Sequence, residues 1–188
     1  ASRVPMPELR YETEDGRSHE LQTTGEGPLL VTLWASWCPV CMKELRDFTK
    51  GETEIRESGL NVLALNVDHL SDAGMSEAND AKAAMESIGF PFDSALATDE
   101  LFSKLTLLAQ HIVPRRQPLP APCSFLVDPQ GWVVAIYKGP IGLEQLEHDT
   151  AMAFVDRRQV RDLGVPFRGQ WLFPRTYANL FGLANSFR

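Results

Sequence analysis

The chain has 188 residues, 44% of them hydrophobic and 23% charged, which fits a globular domain with or without an extension and excludes a disordered or collagen-like chain. The formal net charge of −7 argues against nonspecific binding to nucleic acid or anionic membranes. No apolar run is long enough to span a membrane. The chain does not begin with Met, and we expect an excised or processed fragment, from which a leader or an anchor could have been lost.

Charge and aromatic residues are unevenly distributed along the chain. Residues 151–188 contain six arginines, two aspartates and seven of the 17 aromatic residues, and so carry +4, whereas residues 1–150 carry −11. So many aromatic side chains are unusual in a disordered arm. We therefore predict a domain at 1–150 and a C-terminal extension at 151–188, which packs on the domain or on another domain absent from the fragment.

The first elements in chain order are a hairpin, a buried strand and a helix. Residues 8–11 and 18–21 flank Asp15-Gly16, a dipeptide typical of tight hairpin turns. Residues 29–34 are continuously apolar, which predicts a strand covered on both faces. Residues 39–58 have the pattern of a helix with proline in its first turn.

The remaining chain continues to alternate between strands and helices. Its patterns predict a buried strand at 60–67, helices at 78–88, 99–110 and 143–158, and a second hairpin formed by 124–127 and 132–137. Residues 113–122 include four prolines, which exclude regular structure there. The order of elements predicts an α/β layered fold whose sheet ends in antiparallel strands.

Cys38 and Cys41 form a C-x-x-C at the junction between the buried strand and the helix. Free backbone N–H groups and the positive end of the helix dipole would stabilise a thiolate at Cys38. Cys41 lies one turn further along, where a more buried thiol suits the resolution of a mixed disulfide. Pro39 fixes the first turn. The pattern therefore predicts a redox-active dithiol.

Zinc binding is the alternative for this motif. A zinc site would need two more ligands, which Cys123 and one of the four histidines could supply only by coincidence. Haem attachment requires a histidine where Met42 is found. The polar loop at 68–72 follows a strand and is more typical of helix caps than of a metal site. We expect no metal.

Residues 34–45, W-A-S-W-C-P-V-C-M-K-E-L, resemble the thioredoxin superfamily and, within it, the TlpA/ResA-like branch of bacterial thiol-disulfide oxidoreductases. The resemblance covers roughly residues 5–150 and includes the N-terminal hairpin and Glu44. It implies an α/β, thioredoxin-like three-layer fold with a mixed central sheet, an N-terminal β-hairpin and a C-terminal extension. It also implies a redox-active disulfide between Cys38 and Cys41 with no other cofactor.

A second segment carries the same resemblance. Residues 122–131, P-C-S-F-L-V-D-P-Q-G, are similar to the family's P-T-x-F-L-I-D-x-x-G. The resemblance makes Pro122 a cis-proline that faces the dithiol and orients substrate, and it directs the backbone of Ala121 toward a bound substrate cysteine. We expect Trp37 and Pro39 to contact substrate at the rim, and Trp34 to lie in the core. The alternative for Pro122 is that it merely ends a proline-rich loop.

Three positions depart from the family pattern. Thr32 replaces the buried aspartate of thioredoxin, and a hydroxyl is not a general base near neutral pH. Glu44 is the candidate for deprotonating Cys41, although it could equally be a solvated helix residue. Arg46 replaces a proline that usually kinks the helix, which should leave the helix straighter. Cys123 follows the proline and is either a third redox thiol or a small buried residue.

These features favour a thiol-disulfide oxidoreductase, with a weak preference for a reductase because Pro39-Val40 adds neither a histidine nor a charge. Its partners would be a protein or small-molecule disulfide and an upstream electron donor, with no nucleic acid and no membrane span in this fragment. The resemblance implies an extracytoplasmic location in a bacterium. One alternative is an inactive scaffold domain. A thiol peroxidase is disfavoured because Val31 and Ala35 replace the proline and threonine of its motif.

Overall fold

A mixed β-sheet of eight strands lies at the centre of the structure, a computed structural model that describes residues 4–13, 15–70, 78–112 and 119–154. The strands are β1 (Val4–Pro5), β2 (Arg10–Glu12), β3 (Ser18–Glu20), β4 (Leu29–Trp34), β5 (Asn61–Asn66), β6 (Asp93–Ala97), β7 (Cys123–Val127) and β8 (Trp132–Lys138). The helices are α1 (Pro39–Lys50), α2 (Glu52–Glu57), α3 (Ala78–Ile88), α4 (Asp99–Ile112) and α5 (Leu143–Ala153), and a 3₁₀ turn covers Asp68–Leu70.

The strand order is β1-β8-β7-β4-β5-β6-β2-β3. The three strands β4, β5 and β6 run parallel, whereas β7 is antiparallel to both β4 and β8. Strand β4 therefore has a neighbour on each side, and this central position explains why its sequence is apolar except at Thr32. Both predicted hairpins are present, as β2–β3 and β7–β8.

Helices cover both faces of the sheet. Successive residues of a strand point to opposite faces, and the hydrophobic clusters follow this alternation. Leu30 of β4 packs in one cluster with Phe48 of α1 and Leu146 of α5. Leu33 of β4 lies in the other cluster with Leu105 of α4. This arrangement confirms the predicted three-layer architecture with a mixed central sheet.

The predicted helix at 39–58 is wrong in one respect, because it is two helices with a break at Gly51. A side chain at Gly51 would place its Cβ 2.6 Å from Cδ1 of Leu143. A side chain at position 51 would therefore require the side chain of Leu143, at the start of α5, to shift. Helix α1 runs without interruption through Arg46, where the family pattern has proline.

Strands β1 and β6 were not predicted from the sequence. The residues of β6, Asp93–Ala97, include aspartate, serine and two alanines, types that strands use sparingly. These residues form a strand because β6 pairs with the parallel strand β5 on one side and with the antiparallel strand β2 on the other. The N-terminal hairpin consequently extends the sheet beyond β6.

Several predictions lie partly outside the described residues. Helix α5 is described to Ala153, with a turn at Phe154, so the predicted end of this helix at residue 158 lies outside. Also outside the described residues are 155–188 of the predicted extension and 113–118 of the proline-rich loop. Among the residues that are described, no helix combines the length and apolarity needed to cross a bilayer.

Replacing Phe48 tests the packing between α1 and the sheet. This side chain is fully buried, so Phe48→Ala should lower the free energy of unfolding by about 3–5 kcal/mol through lost burial and the cavity left behind. Urea denaturation followed by far-UV circular dichroism measures the change. Lys43→Ala, at an exposed position of the same helix, should change it by less than about 0.5 kcal/mol. A similar small loss for Phe48→Ala would contradict the packing.

Candidate active site

The dithiol lies at the N-terminus of α1. Cys38 is the N-cap residue, Pro39 is the first residue of the helix, and Sγ of Cys38 accepts a hydrogen bond from the N–H of Cys41 at 3.1 Å. The two cysteines are joined in a disulfide, with their Cα atoms 5.3 Å apart. Cys38 is 6% exposed and Cys41 is fully buried. The predicted order of exposure is therefore present, with the first sulfur nearer to solvent.

A buried carboxylate holds the turn that precedes Cys38. Oδ1 of Asp68 accepts the N–H of Ser36 at 2.8 Å, and the N–H of Asp68 donates to Oδ1 of Asn66 at 3.0 Å. The N–H of Cys38 donates to the carbonyl oxygen of Ala35 at 3.1 Å, closing the turn. The sequence indicated a polar loop here but did not indicate that Asp68 braces the neighbouring C-x-x-C turn.

The loop before β7 faces Cys38. The peptide bond between Ala121 and Pro122 is cis, as the resemblance implied. The carbonyl oxygen of Ala121 lies 3.6 Å from Sγ of Cys38, and the carbonyl oxygen of Pro122 accepts the N–H of Gly139 at 3.0 Å. Strand pairing between β7 and β8 thus fixes the backbone of Ala121 next to the more exposed sulfur.

The rim of the site is apolar. Trp37 is 45% exposed, whereas Trp34 is 1% exposed, which confirms the predicted difference between rim and core. A cavity of about 100 Å³ opens next to Trp37 and Ala121. Its remaining wall is made of apolar side chains, among them Leu33 and Phe102. Of the three positions predicted to contact substrate, Trp37 and Ala121 therefore border one apolar recess, whereas Pro39 does not line it.

Glu44 is buried inside the protein with only 2% of its surface exposed, so the solvated alternative is wrong. Its Oε1 accepts the N–H of Ile141 at 2.7 Å, and its Oε2 accepts the hydroxyl of Thr32 at 3.4 Å. Burial raises the pKa of Glu44 to about 7, although both hydrogen bonds act in the opposite direction. A carboxyl group that titrates near neutral pH is suited to exchanging protons at that pH.

Cys123 is fully buried on β7, where it pairs with Leu33 of β4 and with Lys138 of β8. Burial raises the pKa of the Cys123 thiol to about 12, and the positive charge of Lys138 only partly opposes this effect. A protonated thiol is a poor nucleophile. The environment of Cys123 therefore matches the interpretation of a small buried residue. Within the described ranges, no three His, Cys, Asp or Glu side chains are grouped as metal ligands.

The fold and the site together define a thioredoxin-like protein with a C-x-x-C disulfide at a helix N-terminus. Residues 3–136 match the AhpC/TSA family, and the chain belongs to that family. Thiol-disulfide oxidoreductase ResA of Bacillus subtilis (strain 168) is 24% identical over 143 residues, which cover 76% of this chain and 70% of ResA. This similarity agrees with the ResA-like character of residues 34–45.

Two further comparisons point in the same direction. Thiol:disulfide interchange protein DsbE of Vibrio cholerae is 30% identical over 77 residues, or 40% of each chain. The crystal structure of a thiol:disulfide interchange protein of the thioredoxin family from Chlorobium tepidum TLS matches with a TM-score of 0.59 and 22% identity, covering 81% of this chain and 97% of that one. The structural match confirms the predicted thioredoxin-like fold.

The burial of Glu44 predicts a pH-dependent stability. Its pKa of about 7 lies above the ordinary glutamate pKa of 4.5, so the folded state binds the proton more tightly than the unfolded state between these values. The free energy of unfolding should therefore fall as pH rises through this window, by roughly 3 kcal/mol from this group. Glu44→Gln should remove that component, as measured by urea denaturation of the oxidised protein between about pH 4 and pH 8.

The matched control is Glu57→Gln, which changes an exposed carboxylate at the end of α2. This variant should keep the pH dependence of the parent protein. An equal pH dependence for Glu44→Gln and the parent would show that Glu44 does not carry the effect.

Proposed function

We propose that the protein is a thiol-disulfide oxidoreductase that reduces protein disulfides through Cys38 and Cys41. The observation that carries the proposal is the position of Cys38, whose sulfur accepts a helix N–H and faces the carbonyl group of Ala121. The helix N–H stabilises a thiolate at Cys38, and the backbone of Ala121 provides an edge beside that thiolate. The names of the ResA and DsbE relatives support the same activity.

The reaction begins with the reduced dithiol. The Cys38 thiolate attacks one sulfur of the substrate disulfide, and the other substrate sulfur leaves as a thiolate. Cys41 then loses its proton and attacks Sγ of Cys38, which releases the second substrate thiolate and forms the Cys38–Cys41 disulfide. The substrate gains two electrons, and an upstream electron donor must return two electrons to the protein.

Glu44 accepts the proton that Cys41 loses. The two residues are three positions apart on α1, a spacing that places side chains on the same face of a helix. The carboxyl group is buried, and its pKa of about 7 allows it to take up and release a proton near neutral pH. Glu44 thus supplies from the helix the base that Thr32 cannot supply from the strand.

Substrate binds along the exposed rim. The side chain of Trp37 and the ring of Pro39 border Cys38 on the helix side, and the backbone of Ala121 borders it on the other side. The apolar recess beside Trp37 and Ala121 accommodates an apolar side chain next to the substrate cysteine. The resemblance to the TlpA/ResA-like branch supports work outside the bacterial cytoplasm.

Exchanging each cysteine separately tests the mechanism. In an assay of insulin reduction with dithiothreitol as electron donor, Cys38→Ser should abolish turnover, because no nucleophile remains at the rim. Cys41→Ser, reduced beforehand and then freed of dithiothreitol, should accumulate a mixed disulfide with the substrate, which non-reducing electrophoresis detects. Cys123→Ser is the matched control and should retain activity, because its thiol is buried and protonated. Full turnover by Cys38→Ser would leave a scaffold role as the better explanation.

The direction of electron flow has its own test. The reduction potential should lie near or below about −230 mV, as expected of a reductase whose Pro39-Val40 dipeptide adds no cation. Equilibration in glutathione or dithiothreitol buffers, followed by tryptophan fluorescence, measures the potential, because Trp37 directly precedes Cys38 and Trp34 lies four positions before it. A potential above about −150 mV would instead indicate an oxidase or an isomerase.

A further inference from the structure

Two buried hydroxyl groups lie between the central strands and Glu44. Thr32 of β4 and Ser124 of β7 are register partners and are both fully buried. Oγ of Ser124 lies 2.9 Å from Oγ1 of Thr32, which in turn lies 3.4 Å from Oε2 of Glu44. The three side chains form a continuous polar chain that crosses from β7 through β4 to α1.

The chemistry of the groups sets the direction of these hydrogen bonds. An ionised carboxylate can only accept, so Thr32 must donate its single hydroxyl proton to Glu44. The oxygen of Thr32 then accepts the hydroxyl proton of Ser124, which polarises the Thr32 hydroxyl and strengthens its donation. The N–H of Ile141 donates to the other carboxylate oxygen. All three donors are thus arranged to stabilise negative charge on Glu44.

We propose that Thr32, supported by Ser124, is a positioning residue that holds the carboxylate of Glu44 ionised and oriented for proton transfer from Cys41. The inference rests on the role proposed above for Glu44 in the thiol-disulfide reaction. Neither hydroxyl touches the reacting sulfurs in this scheme, and both act through the carboxylate.

The charged and titratable neighbours of Glu44 do not replace this stabilisation. Asp47, one turn further along α1, disfavours the ionised form of Glu44. Cys123 of β7 interacts electrostatically with Glu44, but its buried thiol stays neutral at physiological pH. The ammonium group of Lys138 acts on Cys123 from β8. Among the described residues, the donors that oppose the effect of burial on Glu44 are therefore Thr32 and the N–H of Ile141.

Removing the Thr32 hydroxyl gives a direct test. Thr32→Val keeps the shape of the side chain and should raise the pKa of Glu44 by about one pH unit, since a long hydrogen bond to a charged group is lost. The pKa is measured by a ¹³C NMR titration of the glutamate side-chain carboxyl groups, with the Glu44 signal assigned by its loss in Glu44→Gln. Ser124→Ala should also raise the pKa of Glu44, but by a smaller amount. Thr32→Ser keeps a hydroxyl group at this position and should therefore leave the pKa at the parent value.

Thr150→Val is the matched control. Thr150 is also a fully buried threonine, but its hydroxyl donates to the carbonyl oxygen of Leu146 within α5. This variant should leave the pKa of Glu44 unchanged. An unchanged pKa in both Thr32→Val and Ser124→Ala would overturn the inference, and so would an equal rise in Thr150→Val.

The catalytic consequence is measured separately. The rate at which Cys41 resolves the mixed disulfide should follow a pH profile displaced to higher pH in Thr32→Val by the same amount as the pKa of Glu44, with the same rate at high pH. A profile that stays in place while the pKa of Glu44 moves would overturn the proposed coupling to Cys41. Failure of the proposed function is a different result, in which the parent protein itself reduces no disulfide although the titration of Glu44 still reports on Thr32.

Discussion

The site depends on one placement, in which the N-terminus of α1 lies at the carboxyl end of the central strand β4. At that position, Sγ of Cys38 accepts a hydrogen bond from an N–H group that has no partner within the helix. Because β7 pairs with β4 on one side, the residues that lead into β7 reach the same end of the sheet. The carbonyl group of Ala121 therefore lies beside Cys38 as a consequence of strand order.

Glu44 joins this arrangement to the loop between β8 and α5. Its carboxylate accepts the N–H of Ile141, immediately before α5, and the hydroxyl of Thr32 in the central strand. A single side chain thus connects α1, β4 and the start of α5. Thioredoxin has an acidic residue on the strand, whereas this chain has Thr32 at that position and a buried acid, Glu44, on the helix. The acid therefore has donors from two separate elements.

Local patterns were sufficient to predict the strand β4, the hairpins and the C-x-x-C at a strand-helix junction. They were not sufficient where a residue's role comes from a distant partner. The N–H of Ile141 and the carboxylate of Asp68 have partners 97 and 32 positions away, and no periodicity records such a pairing. For the same reason helical spacing left two alternatives for Glu44, since it gives the face of a helix but not what covers that face.

The break at Gly51 and the strand β6 were missed for related physical reasons. Glycine disfavours a helix interior by only about 1 kcal/mol, so Gly51 alone does not show that the helix ends there. Strand β6 has a weak intrinsic preference, and only its pairing with β5 and β2 makes it a strand. In both cases the local signal is too weak to decide the structure by itself. Both features also lie outside the C-x-x-C motif and the loop that faces it, which local patterns did indicate.

The hydrogen bonds of Glu44 do not by themselves explain why the residue at position 44 is ionisable. A glutamine could accept the N–H of Ile141 with its amide oxygen and donate its amide N–H to the hydroxyl oxygen of Thr32, without placing a charge in a buried site. The carboxylate instead lowers stability at neutral and higher pH, since burial raises its pKa to about 7. The cost to stability and a pKa near neutral pH together support the proposed role of Glu44 in proton transfer. The hydroxyl groups of Thr32 and Ser124 then reduce the cost of keeping that group charged.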